Sequence, residues 1–155
     1  MIQNDVLRRL RYILNYDDFR MMDIFAKGGF QTTREYVCDV LRSDTEPAYR
    51  RLLDRELSAF LNGLIIEMRG EREGPKPQPE TFLNNNMILQ KLKIAYNLKA
   101  DDVLAILASC DITLSSHELS SFFRKPGHKH FRECKDQIMR NFLMGLQLKH
   151  RPKES

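Results

Sequence analysis

Sliding the chain along itself by 82 residues lays positions 4–69 on positions 86–151 without a gap, and 14 of the 66 aligned pairs are identical. No other feature restricts the fold as much. The echo is strongest where FLNGLIIEMR (60–69) meets FLMGLQLKHR (142–151), matching Phe60 with Phe142, Gly63 with Gly145 and Leu64 with Leu146. Most apolar positions elsewhere keep their character, as two diverging copies of one supersecondary unit should. The chain is therefore read as a duplication, and whatever one copy folds into the other should also adopt.

Each copy carries four helical patterns. In the first, Val6, Leu7, Leu10, Ile13 and Leu14 recur at helical spacing, answered by Ile88, Leu89, Leu92, Ala95 and Tyr96. Asn4 and Asn86 precede these stripes and are read as N-caps, because an Asn side chain accepts from the free amides of a first turn. Asn15 and Asn97 close them, since Asn tolerates the left-handed conformation of helix ends. The second helix should start at Asp17-Asp18 or Asp101-Asp102, where carboxylates complement the helix dipole. The third opens with Thr32-Thr33-Arg34-Glu35 or Ser115-Ser116-His117-Glu118, both read as capping boxes, and ends near Arg42 or Arg124. A Pro-containing loop follows, and then the most regular helix, with Leu57, Phe60, Leu61 and Leu64 on one stripe and Met139, Phe142, Leu143 and Leu146 on the other. A glycine inside such a helix costs about 1 kcal/mol relative to alanine. Its presence in both copies predicts that another helix crosses close to Gly63 and Gly145.

Between the copies runs GEREGPKPQPETFL, whose alternating Pro75, Pro77 and Pro79 forbid a helix. The expected organisation is a first helical repeat over 1–69, a Pro-rich linker over 70–83 and a second helical repeat over 84–155. The fold class is all-α, two tandem four-helix repeats packed as a pseudo-twofold helical body, because two units are fewer than a stacked solenoid needs.

Three cysteines without CxxC spacing, Cys38, Cys110 and Cys134, suit a reducing cytoplasm better than a disulfide framework. The N-terminal stretch MIQNDVLRRLRYIL interrupts its apolar run with arginines, unlike a signal peptide or a membrane span. The net charge of +4 is unevenly placed: residues 1–69 hold 11 basic and 11 acidic side chains, whereas 84–155 hold 12 and 7. A basic second half is compatible with an anionic partner, although an ordinary solvated surface accounts for it as well.

The difference is concentrated in one loop. Arg42 and Arg50 bracket it in the first copy and Arg124 and Arg132 in the second; between them stand Asp44 and Glu46 in one case and Lys125, His128, Lys129 and His130 in the other. Arg42, Arg50, Arg124, Lys125, Lys129 and Arg132 are accordingly the candidate anion- or partner-binding residues, weighed against i,i+4 pairing of Arg50 with Asp54 and of Arg132 with Asp136. His128, His130 and Cys134 would be too few for a zinc site, which wants a fourth ligand at recognisable spacing, so no metal or other cofactor is expected. The second and third helices invite comparison with a helix-turn-helix, but about seven residues separate their apolar runs, more than that motif's tight turn. No phosphate loop, HExxH or GxSxG motif is present, and no catalytic residue is assigned.

The stretches NDVLRRLRYIL, FLNGLIIEMRG, NNNMILQKLKIAYNLKADDVLAIL and HKHFRECKDQIMRNFLMGL closely resemble the YehS-like proteins, small bacterial proteins built from a tandemly repeated domain of unknown function. The resemblance spans nearly the whole chain and implies a bacterial cytoplasmic protein with a duplicated all-helical fold; it supplies no functional residues. Duplication without catalytic chemistry leads to the expectation of a non-enzymatic interaction, adaptor or regulatory module. Its partner would be another protein or a second copy of the chain, with no membrane involved. Nucleic-acid binding through the basic second repeat is the alternative.

Overall fold

A computed structural model of the chain describes residues 1–151. These residues are helical, with no strand among them, and divide into two compact units, the first Met1–Leu83 and the second starting at Asn84. The first holds α1 (Gln3–Leu14), α2 (Asp18–Lys27), α3 (Arg34–Leu41) and α4 (Asp54–Arg69). The second repeats the order with α5 (Asn85–Ala95), α6 (Ala100–Ala108), α7 (Ser116–Ser121) and α8 (Asp136–His150). No helix of the described residues is long and apolar enough to cross a membrane.

Local chemistry sets most boundaries. Asp17 caps α2 by accepting from the Arg20 amide, and Thr33 and Ser115 cap α3 and α7 by accepting from the Tyr36 and Glu118 amides. Of the two boxes expected at the third helix only the second closes, with Glu118 accepting in return from the Ser115 amide; in α3 the third helical residue is Tyr36, which cannot reach back. Asn15 and Asn97 take φ of 56° and 54°, the left-handed turn that ends the first helix of each repeat. The reading of Asn4 and Asn86 as N-caps is corrected. The cap positions are Ile2 and Asn84, and both asparagines lie inside their helices with 0% and 6% exposure. A stripe residue three positions before Leu7 or Leu89 must face the core, whatever its capping propensity.

The central contact of each unit is the crossing of its second and fourth helices. A Cβ built on Gly63 would stand 1.9 Å from the Ile24 carbonyl oxygen, and one on Gly145 would stand 2.4 Å from that of Ile106. The first crossing is tighter because it has a second glycine. Gly28, the C-cap of α2, would place its Cβ 1.7 Å from the Ala59 carbonyl oxygen, and its equivalent in the second unit is Cys110. Around the first crossing Phe25, Phe60 and Tyr36 meet edge to face, with Phe25–Phe60 centroids 5.0 Å apart.

Residues 70–84 contain no helix. Their last part is fixed to the first unit: Leu83 is 3% exposed, its amide donates to Asp54 Oδ2 (2.9 Å), and the Glu80 amide donates to Ser58 Oγ (3.0 Å).

Candidate functional site

The loop between the third and fourth helices of each unit is held by one buried carboxamide. Asn4 Nδ2 donates to the carbonyls of Val40 and Arg50, both at 2.9 Å, and its Oδ1 accepts from the Leu52 amide at 2.9 Å. Asn86 repeats all three bonds 82 residues later, with the carbonyls of Phe122 (3.0 Å) and Arg132 (2.7 Å) and the amide of Cys134 (2.9 Å). A second tie closes the loop mouth, from the Arg50 amide to the Asp39 carbonyl and from the Arg132 amide to the Ser121 carbonyl, each 3.1 Å. Inside, the turns also match: Glu46 N to Ser43 O and Tyr49 N to Glu46 O in one loop, His128 N to Lys125 O and Phe131 N to His128 O in the other. Two loops thus share one backbone.

They present different charge. In the first, Arg42 Nε meets Asp39 at 3.0 Å and Arg42 Nη1 meets Glu46 at 3.5 Å. The hydrogen bond that Arg42 donates to Asp39 raises the guanidinium pKa still further. Arg50 lies 4.9 Å above the Tyr36 ring and 3.7 Å from buried Glu56. Burial, and then the Glu56 charge, raises the Tyr36 phenol above its ordinary value. The expected Arg50–Asp54 helical pair does not form, because α4 begins only at Asp54, and that carboxylate instead accepts from Gln3 Nε2 (2.8 Å) and the Leu83 amide. Arg132 is likewise outside its helix, since α8 begins at Asp136, which accepts from Asn85 Nδ2 at 2.8 Å.

In the second loop the counterparts of Asp39 and Glu46 are Ser121 and His128, so the acids that neutralise Arg42 have no equivalent beside Arg124. Arg124, Lys125, Lys129 and Arg132 are all exposed. Three imidazoles gather on the same loop: His130 is 5.5 Å from His128 and 5.8 Å from His117, ring centre to ring centre, and the His130 amide donates to His128 Nδ1 at 3.0 Å. Hydrogen bonding to Ser115 holds the Glu118 carboxyl below its usual range, with Arg132 and His117 adding to the effect. Sequence reading did not place His117 beside this loop; the fold carries it in from the first turn of α7. That reading also missed Asn4 and Asn86 as the residues that set the loop. Their signal was available: a polar residue, identical in both copies, on an apolar stripe.

Cys134 does not join the histidines. It is 1% exposed, and burial pushes its thiol up to about 12. Among the described residues no group of three or more His, Cys, Asp or Glu is placed to hold a metal ion. The helix-turn-helix comparison also finds little support, since seven residues, 109–115, separate α6 from α7 and α7 has only 6 residues.

No solved structure matches the chain significantly. A protein of Escherichia coli (strain K12), "Uncharacterized protein YehS", is 44% identical over 155 residues, covering 99% of either chain. A family model matches twice, over residues 3–70 and 85–151, the two segments that the duplication and the helices mark out. With both repeats matched, the chain belongs to the family described as "Protein of unknown function (DUF1456)".

Proposed function

We propose that the chain is a non-enzymatic interaction module that engages an acidic surface of a protein partner through the second-repeat loop Arg124–Arg132. One observation carries the reading: the loop keeps the backbone of its first-repeat counterpart while Asp39, Asp44 and Glu46 are replaced by Ser121, Pro126 and His128. A rigid loop needs no ordering on contact, so a cation cluster on it binds at low entropic cost. Opposed charges at such a rim chiefly speed and orient encounter. Arg42 and Arg50 belong to the same framework, but with acids of their own repeat already beside them they are the weaker half of the candidate set.

Nucleic-acid binding is the second reading, favoured by the excess of 12 basic over 7 acidic side chains in residues 84–155. The two separate in one experiment, affinity capture of the native chain from its own cells with and without nuclease, alongside a variant carrying Arg124→Glu, Lys125→Glu, Lys129→Glu and Arg132→Glu. A partner that survives nuclease and is lost with the variant supports the first reading. Nuclease-sensitive capture, with direct binding to labelled DNA or RNA that falls steeply with salt, supports the second. A partner set unchanged by the variant rejects the loop in both.

A further inference from the structure

The first unit shows how this fold can cover the outer face of its fourth helix. From Glu80 to Leu83 the chain passes from Ser58 to Asp54, antiparallel to α4: Ser58 Oγ donates to Glu80 Oε1 (2.8 Å), the Glu80 amide returns to Ser58 Oγ, the Leu83 amide reaches Asp54, and Gln3 Nε2 donates to the Leu83 carbonyl (3.2 Å). Along that face Ser58 is 0% and Asn62 6% exposed.

The second unit keeps the base of this arrangement, since the Asn85–Asp136 bond matches Gln3–Asp54 with 2.8 Å in each. Higher up α8 the face is open. Arg140, Met144 and Leu148 stand at the places of Ser58, Asn62 and Ile66; the Arg140 side chain is 53% exposed, Met144 37% and Leu148 40%. Single exposed apolar residues mean little, but this pair is spaced i,i+4 with a cation one turn below, and that cation stands where the first unit holds its extended segment on Ser58.

We propose that the outer face of α8 is a docking site for an extended acidic segment of another protein, laid antiparallel to the helix as residues 80–83 lie on α4. Charge selects the occupant. Where the neutral Ser58 hydroxyl receives the Glu80 carboxylate, the second unit presents Arg140, whose ion pair with Asp136 is long at 4.0 Å. An acid seated there meets a full cation where Glu80 meets a neutral hydroxyl, and guanidinium–carboxylate pairs are among the strong bonds. One helical turn is about 5.4 Å and an extended residue about 3 Å, so side chains roughly two and four positions before the acid face Met144 and Leu148. The fitting sequence is apolar-x-apolar-x-Glu, kept extended by proline. This site does not depend on the Arg124–Arg132 loop.

The test uses the full chain and a fluorescent peptide of residues 75–83 carrying Lys76→Leu and Gln78→Leu, followed by anisotropy. Saturable binding is expected, weakened about tenfold or more by Met144→Asp or Leu148→Asp, as for anchors at the centre of an interface. Arg140→Glu should weaken it similarly and be rescued by a peptide with lysine at the Glu80 position. The fourfold loop variant should bind the peptide normally, which separates this site from the loop. All three α8 residues are exposed, and circular dichroism of each variant verifies its fold. Non-saturable binding, affinity unmoved by Met144→Asp, or failure of the charge exchange overturns the proposal.

Discussion

A carboxamide offers two N–H donors and a carbonyl oxygen, and Asn86 uses both donors and the oxygen on three backbone groups that have no other way of meeting. Asn86→Ala would strand the Phe122 and Arg132 carbonyls and the Cys134 amide. At about 1–3 kcal/mol for each buried group left unpaired, with some recovery by water near the loop, we expect a loss of roughly 3 kcal/mol in urea unfolding and faster hydrogen exchange at the Cys134 amide. An unchanged midpoint would refute the clamp. The same residue shows where sequence reading stopped: Asn84, Asn85 and Asn86 look interchangeable as caps, yet Asn84 caps α5 through the Met87 amide, Asn85 bonds Asp136, and Asn86 faces the core. Only the helical register tells them apart, and a shift of one residue moves a side chain by about 100°. Glu67 carries the second residue-scale prediction. A hydrogen bond from Lys27 lowers its pKa, burial opposes this, and the Arg20 charge adds to the lowering. A carboxyl with a depressed folded pKa stabilises the fold above its unfolded value and loses that contribution as pH falls through the folded one. Stability should therefore decline as pH drops below the ordinary glutamate value near 4.5, and Glu67→Gln should flatten that decline while lowering stability at neutral pH. Parallel urea titrations at both pH values would show it.

At the scale of elements, the helix crossings were legible because a glycine on an otherwise apolar stripe has few explanations besides close approach. Gly63→Ala must push a methyl into the Ile24 carbonyl, and Gly145→Ala into the Ile106 carbonyl and its Cγ2 atom, 2.7 Å away. Neither backbone can give way without displacing its helix, so each substitution should cost upward of about 2 kcal/mol, beyond the gain in helix propensity. Gly28→Ala belongs in the same class, whereas Cys110→Ala, at the matching place in α6–α8, should be nearly neutral. Thermal melts of the four variants check the ranking, and a benign Gly28→Ala would mean that the crossing is softer than its geometry. The role of Gly28 was hidden because the same residue also stops α2, and one sufficient explanation masks another. Charge in the Arg124–Arg132 loop was legible for the opposite reason: the duplication supplies its own control, and a difference between copies shows against a constant frame. That the arginines pair with Asp39, Glu46 and Glu56 rather than Asp54 was not legible, because it depends on where α4 begins, and helix starts are the least certain feature of any pattern.

On the whole chain, composition and periodicity gave the all-helical class and the duplicated order of helices, since both rest on many residues at once. The segment between the repeats was harder. Its prolines exclude a helix, but composition alone cannot distinguish a free tether from a strap, because the distinction lies in partners far away in sequence: Ser58, Asp54 and Gln3. Leu83 is the residue that decides it. Buried at 3% exposure and bonded through both its amide and its carbonyl, it belongs with the first unit, as do residues 80–83 around it. We expect the boundary of an independently folding first repeat to fall after Leu83, where the compact unit ends. A fragment of residues 1–83 should unfold cooperatively in urea with native-like helicity. A fragment ending at 69 loses the apolar burial of Leu83, worth about 1.5–3 kcal/mol, and leaves the buried Ser58 hydroxyl and the Asp54 carboxylate without their strap partners. It should be less stable by about 3 kcal/mol, and adding Leu83→Ala to the longer fragment should reproduce much of that loss. Equal stability of the two fragments would show the segment to be a tether, and would remove the structural precedent on which peptide docking to α8 rests.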